Sequence, residues 1–321
     1  MKPAYPIYRT LPRHDSARPS AVTIGNFDGV HAGHQAILER LGRAAAERDL
    51  APTVMTFEPH PRAWFAQLAD RPELIPARIS SQRDKLKSLL HHGAEQIVLM
   101  RFNHAVANMS ATAFIEKWLV RGLATRWLLV GTDFRYGHRR SGDIDLLRQA
   151  GRHHGFEVQT IEDVVDDEGQ RISSSTLRTA LAVGEQDRVR ALLGHSFRVS
   201  GHVIHGRKLG RDIGFPTINL RVPEHFAARS AVYVVKVHGL APEPLKAVAS
   251  LGIRPTVQHD GELILEAHIL DAQPNAYGKL ACVEFLAYLR DEARFPDLPT
   301  MIAAIKTDIQ RTHDYFATHG L

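Results

Sequence analysis

The sequence predicts a two-domain protein, with a Rossmann-like parallel α/β sheet in the N-terminal half and a mainly β C-terminal half that ends with a helix. Up to about residue 190, apolar strand-like runs alternate with amphipathic helical patterns, as in βαβ units. After Gly194, short alternating segments separated by turn residues replace them. The length of 321 residues also exceeds the usual size of a single hydrophobic core.

In the N-terminal half, short apolar runs predict buried strands at 21–24, 51–57, 97–100, 127–130 and 156–161. Leucine and alanine at helical spacing predict helices between them, at 35–47, 82–92, 111–121 and 144–154. Because each helix connects two strands, we expect the strands to be parallel.

In the C-terminal half, alternation predicts strands at 197–204, 231–237, 247–251, 263–270 and 281–289. A final helix is predicted at about 300–316. Between the halves, Gly184 and Gly194 bracket a short helical connector. We therefore predict domains of residues 1–186 and 187–321.

Charge and cysteine content narrow the class of protein. Cys282 is the only cysteine, which excludes an intrachain disulfide and favours a reducing, cytoplasmic location. Apolar runs are too short to span a membrane, and the polar N-terminus lacks the hydrophobic core of a signal peptide. We therefore expect that the protein does not bind or span a membrane. The net charge of +5 is spread along the chain, so we expect small polyanions and no nucleic acid as partners.

The first candidate motif, residues 25–34, joins a predicted strand to a predicted helix. Its glycines let backbone N–H groups approach a ligand, and the start of the helix favours an anion. His31 and His34 are spaced i, i+3, so both can flank a single phosphate. A glycine-rich turn with two surface histidines is the alternative interpretation.

The second motif, residues 56–61, ends the predicted strand at 51–57. Because Pro59 and Pro61 disfavour helix, we expect a rigid loop here. Open α/β sheets bind ligands at the carboxyl ends of their strands, so this loop can shape a substrate crevice. A plain connection is the alternative.

The third motif, residues 131–143, again follows a predicted strand directly. Asp133 lies beside a glycine and can accept a hydrogen bond from a ribose hydroxyl. Arg135, Arg139 and Arg140 offer positive charge to phosphates. A charged loop that is only solvated is the alternative interpretation.

The fourth motif, residues 172–178, begins a helical run. Ser173, Ser174 and Ser175 ordinarily cap such a helix. Alternatively, these hydroxyls and the helix N–H groups bind a triphosphate, while Arg178 neutralises charge that develops on the reacting phosphorus.

These four motifs, in this order, resemble the adenylyltransferase half of the bacterial bifunctional riboflavin kinase/FAD synthetase family. Other nucleotidyltransferases share the His-x-Gly-His signature, so this signature alone indicates the chemistry better than the substrate. Tyr136 and Ser175 stand where the family has phenylalanine and threonine. The resemblance implies transfer of AMP from ATP to FMN, without a covalent protein intermediate.

The resemblance also implies roles for individual residues. His31, His34 and Arg178 would be catalytic. Residues implied to bind ATP are Gly25, Asn26, Phe27, Asp28, Gly33, Asp133, Arg140, Ser173, Ser174 and Ser175. Residues implied to bind the flavin are Phe57, Pro59, His60 and Pro61.

In the C-terminal half, residues 201–220 combine four glycines with three basic residues, as in a flap over phosphates. Thr217 and Asn219 present two oxygens on one strand face, and hard oxygen ligands suit Mg²⁺. No Cys/His pattern indicates zinc, so we expect Mg²⁺ brought with ATP as the metal. A glycine-rich hairpin is the alternative.

This segment resembles the riboflavin kinase signature of the same family, so the resemblance covers both halves. It implies ATP binding by Gly206, Lys208, Gly210 and Arg211, and a metal site at Thr217 and Asn219. Glu266, within an apolar strand, would be the catalytic base that deprotonates the ribityl 5′-hydroxyl. An outward-facing glutamate on an edge strand is the alternative. Tyr277 and Arg290 match flavin-binding elements.

Three departures from the family pattern fall in this half. Ala231 replaces a glycine, Ser250 replaces an asparagine, and Ala276 replaces a leucine. Loss of a buried leucine side chain weakens apolar packing by about 1–3 kcal/mol. We therefore expect slower or differently gated kinase activity, with the proposed metal and base residues all present.

The predicted function is a cytoplasmic bifunctional enzyme that phosphorylates riboflavin to FMN and adenylylates FMN to FAD, with ATP and Mg²⁺ at two separate sites. One alternative is an FAD synthetase with a C-terminal flavin-binding regulatory domain. A basic nucleic-acid-binding protein is the other. These patterns predict no particular oligomeric state.

Overall fold

The computed structural model describes residues 7–11, 18–206, 210, 213–223, 225–254 and 262–320. Lys208 and Arg211, both predicted to bind ATP, lie outside these residues, as does Arg207. The chain divides into two compact units. The first comprises Met1–Pro76 and Lys85–Ser173, and the second comprises Ala77–Asp84 and Ser174–Leu321. The domain boundary predicted from the sequence, between residues 186 and 187, stays a prediction.

The first unit is built on a parallel sheet with the strand order β1-β4-β3-β2-β5-β6. Its strands are β1 (Ile7–Tyr8), β2 (Ser20–Ile24), β3 (Ala51–Glu58), β4 (Gln96–Arg101), β5 (Thr125–Gly131) and β6 (Glu157–Ile161). The helices along this part of the chain are α1 (Ala32–Glu47), α2 (Pro61–Leu68), α3 (Gln82–His91), α4 (His104–Ala107), α5 (Ala111–Phe114) and α6 (Ile144–His154).

Two apolar cores cover the two faces of this sheet. Leu41 of α1 and Trp127 of β5 belong to one core. Trp118 and Leu128 belong to the other. Since Trp127 and Leu128 are adjacent in β5, their opposite placement follows from the two-residue period of a strand. The predicted Rossmann-like parallel sheet is therefore confirmed, and the structure shows that both of its faces are covered.

Two local expectations differ from the structure. The predicted helix at 111–121 widens to π-helical geometry over Ile115–Gly122 after one α turn. The prediction that residues 56–61 form only a loop is wrong, because Pro61 begins α2. Proline suits the first helical position, where its missing N–H would have no intrahelical partner. His60 caps this helix by accepting a hydrogen bond from the Arg62 N–H at 3.1 Å.

The strand order places ligand-binding loops at one edge of the sheet. After β2 the chain forms β3 and β4 on one side, and it then continues to β5 on the other side of β2. The carboxyl ends of β2 and β5 therefore form the topological switch point, where open α/β sheets bind ligands. Three of the predicted motifs follow β2, β3 and β5 directly.

The second unit contains an antiparallel sheet with the order β7-β12-β9-β10-β11-β8. Its strands are β7 (Arg198–His202), β8 (Thr217–Arg221), β9 (Ala231–His238), β10 (Leu245–Arg254), β11 (Glu262–Ile269) and β12 (Leu280–Asp291). The N–H of Ile204, just after β7, donates to the carbonyl of Asn219 in β8 at 2.9 Å. This bridge joins the two ends of the strand order, so the sheet closes into the predicted barrel.

The helices of the second unit are α7 (Ser174–Val183), α8 (Gln186–Leu193) and α9 (Leu298–Thr318). Asp297 caps α9 by accepting from the Thr300 N–H at 2.8 Å. The other end of α9 packs Phe316 against Val234 and Leu286 of the barrel. Among the described residues, no helix is both long and apolar enough to cross a membrane.

Candidate active sites

The two motif histidines lie together at the start of α1. Their rings are stacked, with centroids 3.8 Å apart and an interplanar angle of 23°. The ring of Phe27 lies 4.9 Å from that of His34. His31 is only 5 % exposed and occupies the N-cap position of α1. The expectation that both histidines project to one side is therefore confirmed, at a helix end that favours anions.

The loop that carries these histidines has a strained backbone. Phe27 and Val30 have positive φ angles of 50° and 41°, and Gly29 has 87°. Such angles are unfavourable for side chains with a Cβ, above all for β-branched valine. Burial holds this conformation, since Phe27 and Val30 are each 1 % exposed.

Side-chain and backbone contacts connect the four N-terminal motifs. The Thr56 hydroxyl donates to the Asn26 carbonyl at 3.0 Å, which connects the second motif to the first. A Cβ on Gly33 would lie 3.2 Å from the Ile172 carbonyl, so glycine permits close approach of the fourth motif. Asp133 of the third motif pairs with Arg171, beside the fourth, at 3.8 Å.

The third motif forms a compact loop after β5. Tyr136 and Gly142 exchange two backbone hydrogen bonds, of 3.2 and 2.9 Å. Asp143 caps α6 by accepting from the Leu146 N–H at 2.9 Å. This bond, followed by the Arg135 side chain, holds the pKa of Asp143 below its usual value. Arg140 is exposed, with a φ of 59°.

The fourth motif spans the division between the two units. Ser173 belongs to the first unit, whereas Ser174, Ser175 and Arg178 belong to the second. Within the second unit, the Arg178 Nε donates to the Ala77 carbonyl at 2.6 Å. The placement of Arg178 relative to the two histidines stays a prediction.

An aromatic cluster lies after β3 and β4, beside the predicted flavin loop. Phe57 contacts Phe102 edge-on at 6.0 Å, and Trp64 contacts Phe102 at 5.5 Å. Phe65 also packs on Phe102, at 5.7 Å, yet it is 49 % exposed. Of these rings, sequence reasoning identified only Phe57.

Sequence reasoning also missed Lys85, which lies in α3 and is 7 % exposed. Its Nζ donates to the Phe57 carbonyl at 3.2 Å and to the Thr56 hydroxyl at 3.4 Å. The Glu58 carboxylate lies 3.9 Å from the same nitrogen. Lys85 therefore contacts the carboxyl end of β3, where two of the motifs meet.

The second unit contains a cavity of about 410 Å³, lined by residues of five barrel strands and of α9. A row of cross-strand neighbours crosses five strands in register: Asn219 of β8, Glu266 of β11, Ser250 of β10, Val232 of β9 and Arg290 of β12. All five line the cavity. Residues directly opposite in neighbouring strands share a face of the sheet, so Glu266 faces the cavity.

The predicted metal residues lie at one end of this row. Thr217 and Asn219 both line the cavity, and Asn219 is only 3 % exposed. A Cβ on Gly206 would lie 2.7–2.9 Å from the side-chain amide of Asn219. Glycine therefore permits close packing of this backbone against Asn219. Together, Thr217 and Asn219 offer hard oxygen donors of the kind that fits a magnesium ion. Gly210, predicted to bind ATP, also lines this cavity.

Arg290 lies at the other end of the row and is held by α9. Its Nε and Nη2 donate to the Asp308 carboxylate at 2.7–3.2 Å, and its Nη1 donates to the Asp291 carbonyl at 2.8 Å. Asp308 is 4 % exposed. Three donor nitrogens of Arg290 are thus engaged by the protein itself, which fixes the guanidinium at the cavity wall.

A second carboxylate, that of Glu292, faces the same cavity and accepts from the Ser250 hydroxyl at 2.8 Å. Burial raises the pKa of Glu292, and nearby Glu266 raises it further. The hydrogen bond from Ser250 and the charge of Arg290 act in the opposite direction. The carboxylate packs over Gly252, at a point where a Cβ would overlap it.

A second cavity of about 430 Å³ adjoins the first. Both are lined by Pro216, Thr217 and Tyr277. Two substrates bound in these cavities would therefore meet beside Thr217.

The three departures from the family pattern have distinct positions. Ala231 is fully buried in β9, where its small side chain is accommodated. Ser250 supplies the hydroxyl that binds Glu292. Ala276 is buried and lines the second cavity, where a smaller side chain leaves more space.

Comparison with known proteins identifies both halves of the chain. Residues 13–176 match the family model for FAD synthetase, which covers about half of the chain, and residues 193–316 match that for riboflavin kinase. This pair of domains defines a flavin-nucleotide transferase class, in agreement with the parallel sheet and the antiparallel barrel.

Curated relatives match the chain over almost its entire length. A bifunctional riboflavin kinase/FMN adenylyltransferase from Pseudomonas fluorescens is 39 % identical, over 94 % of both chains. That of Escherichia coli K12 is 40 % identical, over 92 % of both chains. A crystal structure described as a macrolide-efflux protein from Streptococcus pneumoniae is 26 % identical, with a TM-score of 0.76 over 97 % of this chain and 100 % of that one.

The chain belongs to the bifunctional riboflavin kinase/FMN adenylyltransferase family. The resemblance stated from the sequence is thereby confirmed for both halves.

Proposed function

We propose that this chain phosphorylates riboflavin to FMN in its second unit and adenylylates FMN to FAD at a site carried by the N-terminal motifs. ATP is the co-substrate of both reactions, and ADP and pyrophosphate are the leaving products. The observation that carries the proposal is the in-register row in which Asn219, Glu266 and Arg290 line one cavity. The connected N-terminal motifs support the second activity.

Glu266 is the general base of the kinase reaction. Its carboxylate accepts the proton of the ribityl 5′-hydroxyl while that oxygen attacks the γ-phosphorus of ATP. The bond between the γ-phosphorus and its bridging oxygen breaks, and ADP leaves. The cavity beside Glu266 binds riboflavin, and the ATP phosphates lie at the Thr217 end of the same cavity, near Gly206 and Gly210, with the rest of ATP towards the adjoining cavity. The transfer then occurs beside Thr217, which both cavities share.

Thr217 and Asn219 are the residues that would hold the Mg²⁺ brought with ATP. A bound Mg²⁺ supplies positive charge to phosphate oxygens. The burial of Asn219 and the position of both residues on the wall of one cavity support this assignment. Gly206 and Gly210 let the backbone approach the nucleotide.

In the adenylyltransferase reaction, an FMN phosphate oxygen attacks the α-phosphorus of ATP. The bond from the α-phosphorus to the bridging oxygen breaks, and pyrophosphate leaves. Catalysis consists of positioning and stabilisation of equatorial negative charge. The stacked pair His31 and His34 stabilises this charge at the N-terminus of α1. The role of Arg178 in neutralising charge rests on its place in the sequence motif alone.

The flavin of FMN binds beside β3 and β4. Phe57, Pro59, His60 and Pro61 shape this part of the site, and exposed Phe65 adds an aromatic surface. Asn26, Asp28 and Asp133 orient the nucleotide. The assignment of Ser173, Ser174 and Ser175 to the triphosphate rests on the sequence motif alone.

The test is a time course of the purified chain with riboflavin, ATP and MgCl₂, in which the flavins are separated by chromatography. We expect FMN to appear before FAD. FAD formation from added FMN but not from riboflavin would reduce the function to FAD synthetase alone. Formation of neither product would overturn the proposal.

Two variants assign the activities to their sites. Glu266→Gln removes the base, so it should abolish FMN formation and keep FAD formation from added FMN. His31→Asn should have the reverse effect. Loss of both activities in either variant would contradict two separate sites.

A further inference from the structure

Lys85 carries a buried positive charge at the edge of the parallel sheet. None of the roles assigned so far involves this residue. It projects from α3 and is 7 % exposed. Burial of an ammonium group is unfavourable unless acceptors compensate it. Two oxygens within hydrogen-bond distance, those of Thr56 and Phe57, and the more distant Glu58 carboxylate provide this compensation.

The hydrogen bond from Lys85 fixes the direction of the Thr56 hydroxyl. A lysine ammonium only donates, so Thr56 Oγ1 must accept from it at 3.4 Å. The single hydroxyl proton of Thr56 is then directed to the Asn26 carbonyl, at 3.0 Å. Lys85 thus acts on the nucleotide loop through Thr56, in a chain of donors that polarise one another.

The same ammonium also holds the start of the flavin loop. It donates to the Phe57 carbonyl at 3.2 Å, directly before Glu58 and Pro59. One charge therefore positions both the loop implied to bind ATP and the loop implied to bind FMN. Such positioning decides whether the attacking oxygen and the α-phosphorus meet in line.

We infer that Lys85 is a positioning residue for adenylyl transfer, acting through Thr56 on Asn26 and through Phe57 on the flavin loop. This inference rests on the proposed FMN adenylyltransferase function. Lys85 itself is not assigned contact with either substrate.

The experiment compares Lys85→Met, which removes the charge at similar volume, with Lys85→Arg and with Lys87→Met. Lys87 is exposed on the same helix and serves as the matched control. In Lys85→Met we expect kcat for FAD formation to fall about 100-fold, the scale of an effect from a small misplacement. The KM for ATP should change less than kcat. Lys85→Arg should restore part of the rate, and Lys87→Met should equal the wild type.

A double-mutant cycle separates positioning from mere stability. Thr56→Val removes the relay hydroxyl, and Thr56→Ser keeps it. Because Lys85 acts on the nucleotide loop through Thr56, we expect Lys85→Met and Thr56→Val to be non-additive in kcat. Thr56→Ser should remain close to wild type. Additive effects on kcat would overturn the relay.

Further outcomes keep the inference distinct from the proposed function. Riboflavin phosphorylation, measured on the same samples, should stay unchanged in all variants. If folded Lys85→Met forms FAD within twofold of wild type, the inference is wrong. If the wild type itself forms no FAD, the proposed function fails instead. If Lys85→Met does not fold, the comparison of Thr56→Val with Thr56→Ser decides, and equal rates in these two would overturn the inference.

Discussion

The carboxylate of Asp308 holds the guanidinium of Arg290 through three hydrogen-bond contacts, of 3.0 and 3.2 Å to Nε and 2.7 Å to Nη2. Asp308 lies in the last helix, and Arg290 lies in the last strand of the barrel. The helix is thus part of the wall of the cavity that Glu266 and Arg290 also line. The role predicted for Arg290 in flavin binding therefore depends on Asp308, which lies 18 residues further along the chain.

Asp308→Ala should destabilise the second unit and weaken riboflavin binding. Removal of one partner of a buried ion pair leaves the other charge uncompensated, which costs about 3–5 kcal/mol. We expect a lower free energy of unfolding in urea and a higher KM for riboflavin. Thr307→Ala, at the exposed neighbouring position of α9, is the control. An unchanged KM for riboflavin would show that Arg290 does not depend on Asp308 for its place.

Gly252→Ala should impair the kinase without unfolding the barrel. An alanine Cβ would overlap the Glu292 carboxylate, which would have to leave the Ser250 hydroxyl. Loss of one hydrogen bond is worth about 1 kcal/mol, so kcat/KM for riboflavin should fall about fivefold. The free energy of unfolding in urea should fall by no more than about this 1 kcal/mol, because the displaced carboxylate ends a flexible side chain. If Ser250→Ala and Gly252→Ala act through the same bond, the double variant should be no worse than either single one.

Much of this architecture could be predicted because its signals are local. The helix Ile144–His154 matches its prediction at both ends, since Asp143 caps its start and Gly155 adopts a left-handed conformation at its end. α2 was missed because Pro61 was interpreted only as a helix breaker. In the site, the i, i+3 spacing of His31 and His34 sufficed to bring their rings together.

The contacts that the sequence did not reveal are those between distant segments. Lys85 lies 28 residues from Phe57, and a lysine in an amphipathic helix is ordinarily solvated. Which strand lies beside which in the barrel decides that Ser250 is opposite Glu266, and alternation alone does not determine strand order. Tertiary packing, not local propensity, fixes these pairs.

Glu284→Gln should remove a pH-dependent contribution to stability. Burial of this carboxylate raises its pKa. The hydrogen bonds with Arg198 and His238, at 3.0 and 2.6 Å, outweigh this effect and hold the pKa of Glu284 below the usual 4.5. A depressed carboxylate pKa stabilises the folded state above the unfolded pKa, and this contribution is lost as pH falls through the folded pKa. The difference between wild type and variant in free energy of unfolding should therefore be largest near neutral pH and shrink below about pH 4.5.

The matched control for this measurement is Glu262→Gln. Glu262 pairs with Arg221 at 2.8 Å on the surface, where ion pairs contribute little. Its difference from wild type should be small at every pH. A Glu284→Gln difference that stays constant from neutral pH to below 4 would contradict the proposed role of this carboxylate.

Tyr136→Phe should stabilise the first unit. The Tyr136 hydroxyl is buried and, within the described part of the chain, has no hydrogen-bond partner. Burial also raises its pKa, so the group stays neutral at ordinary pH. Because a buried hydroxyl without a partner costs about 1–3 kcal/mol, its removal should raise the free energy of unfolding by about 1 kcal/mol.

Tyr233→Phe provides the opposite case in the second unit. The Tyr233 hydroxyl is also buried, but it donates to the Arg229 carbonyl at 2.6 Å. Its removal leaves that carbonyl without this donor, so the free energy of unfolding should fall by about 1 kcal/mol. Both variants are measured by urea unfolding. If Tyr136→Phe lowered stability as Tyr233→Phe does, the Tyr136 hydroxyl would have a partner in solution and its burial would not be a cost.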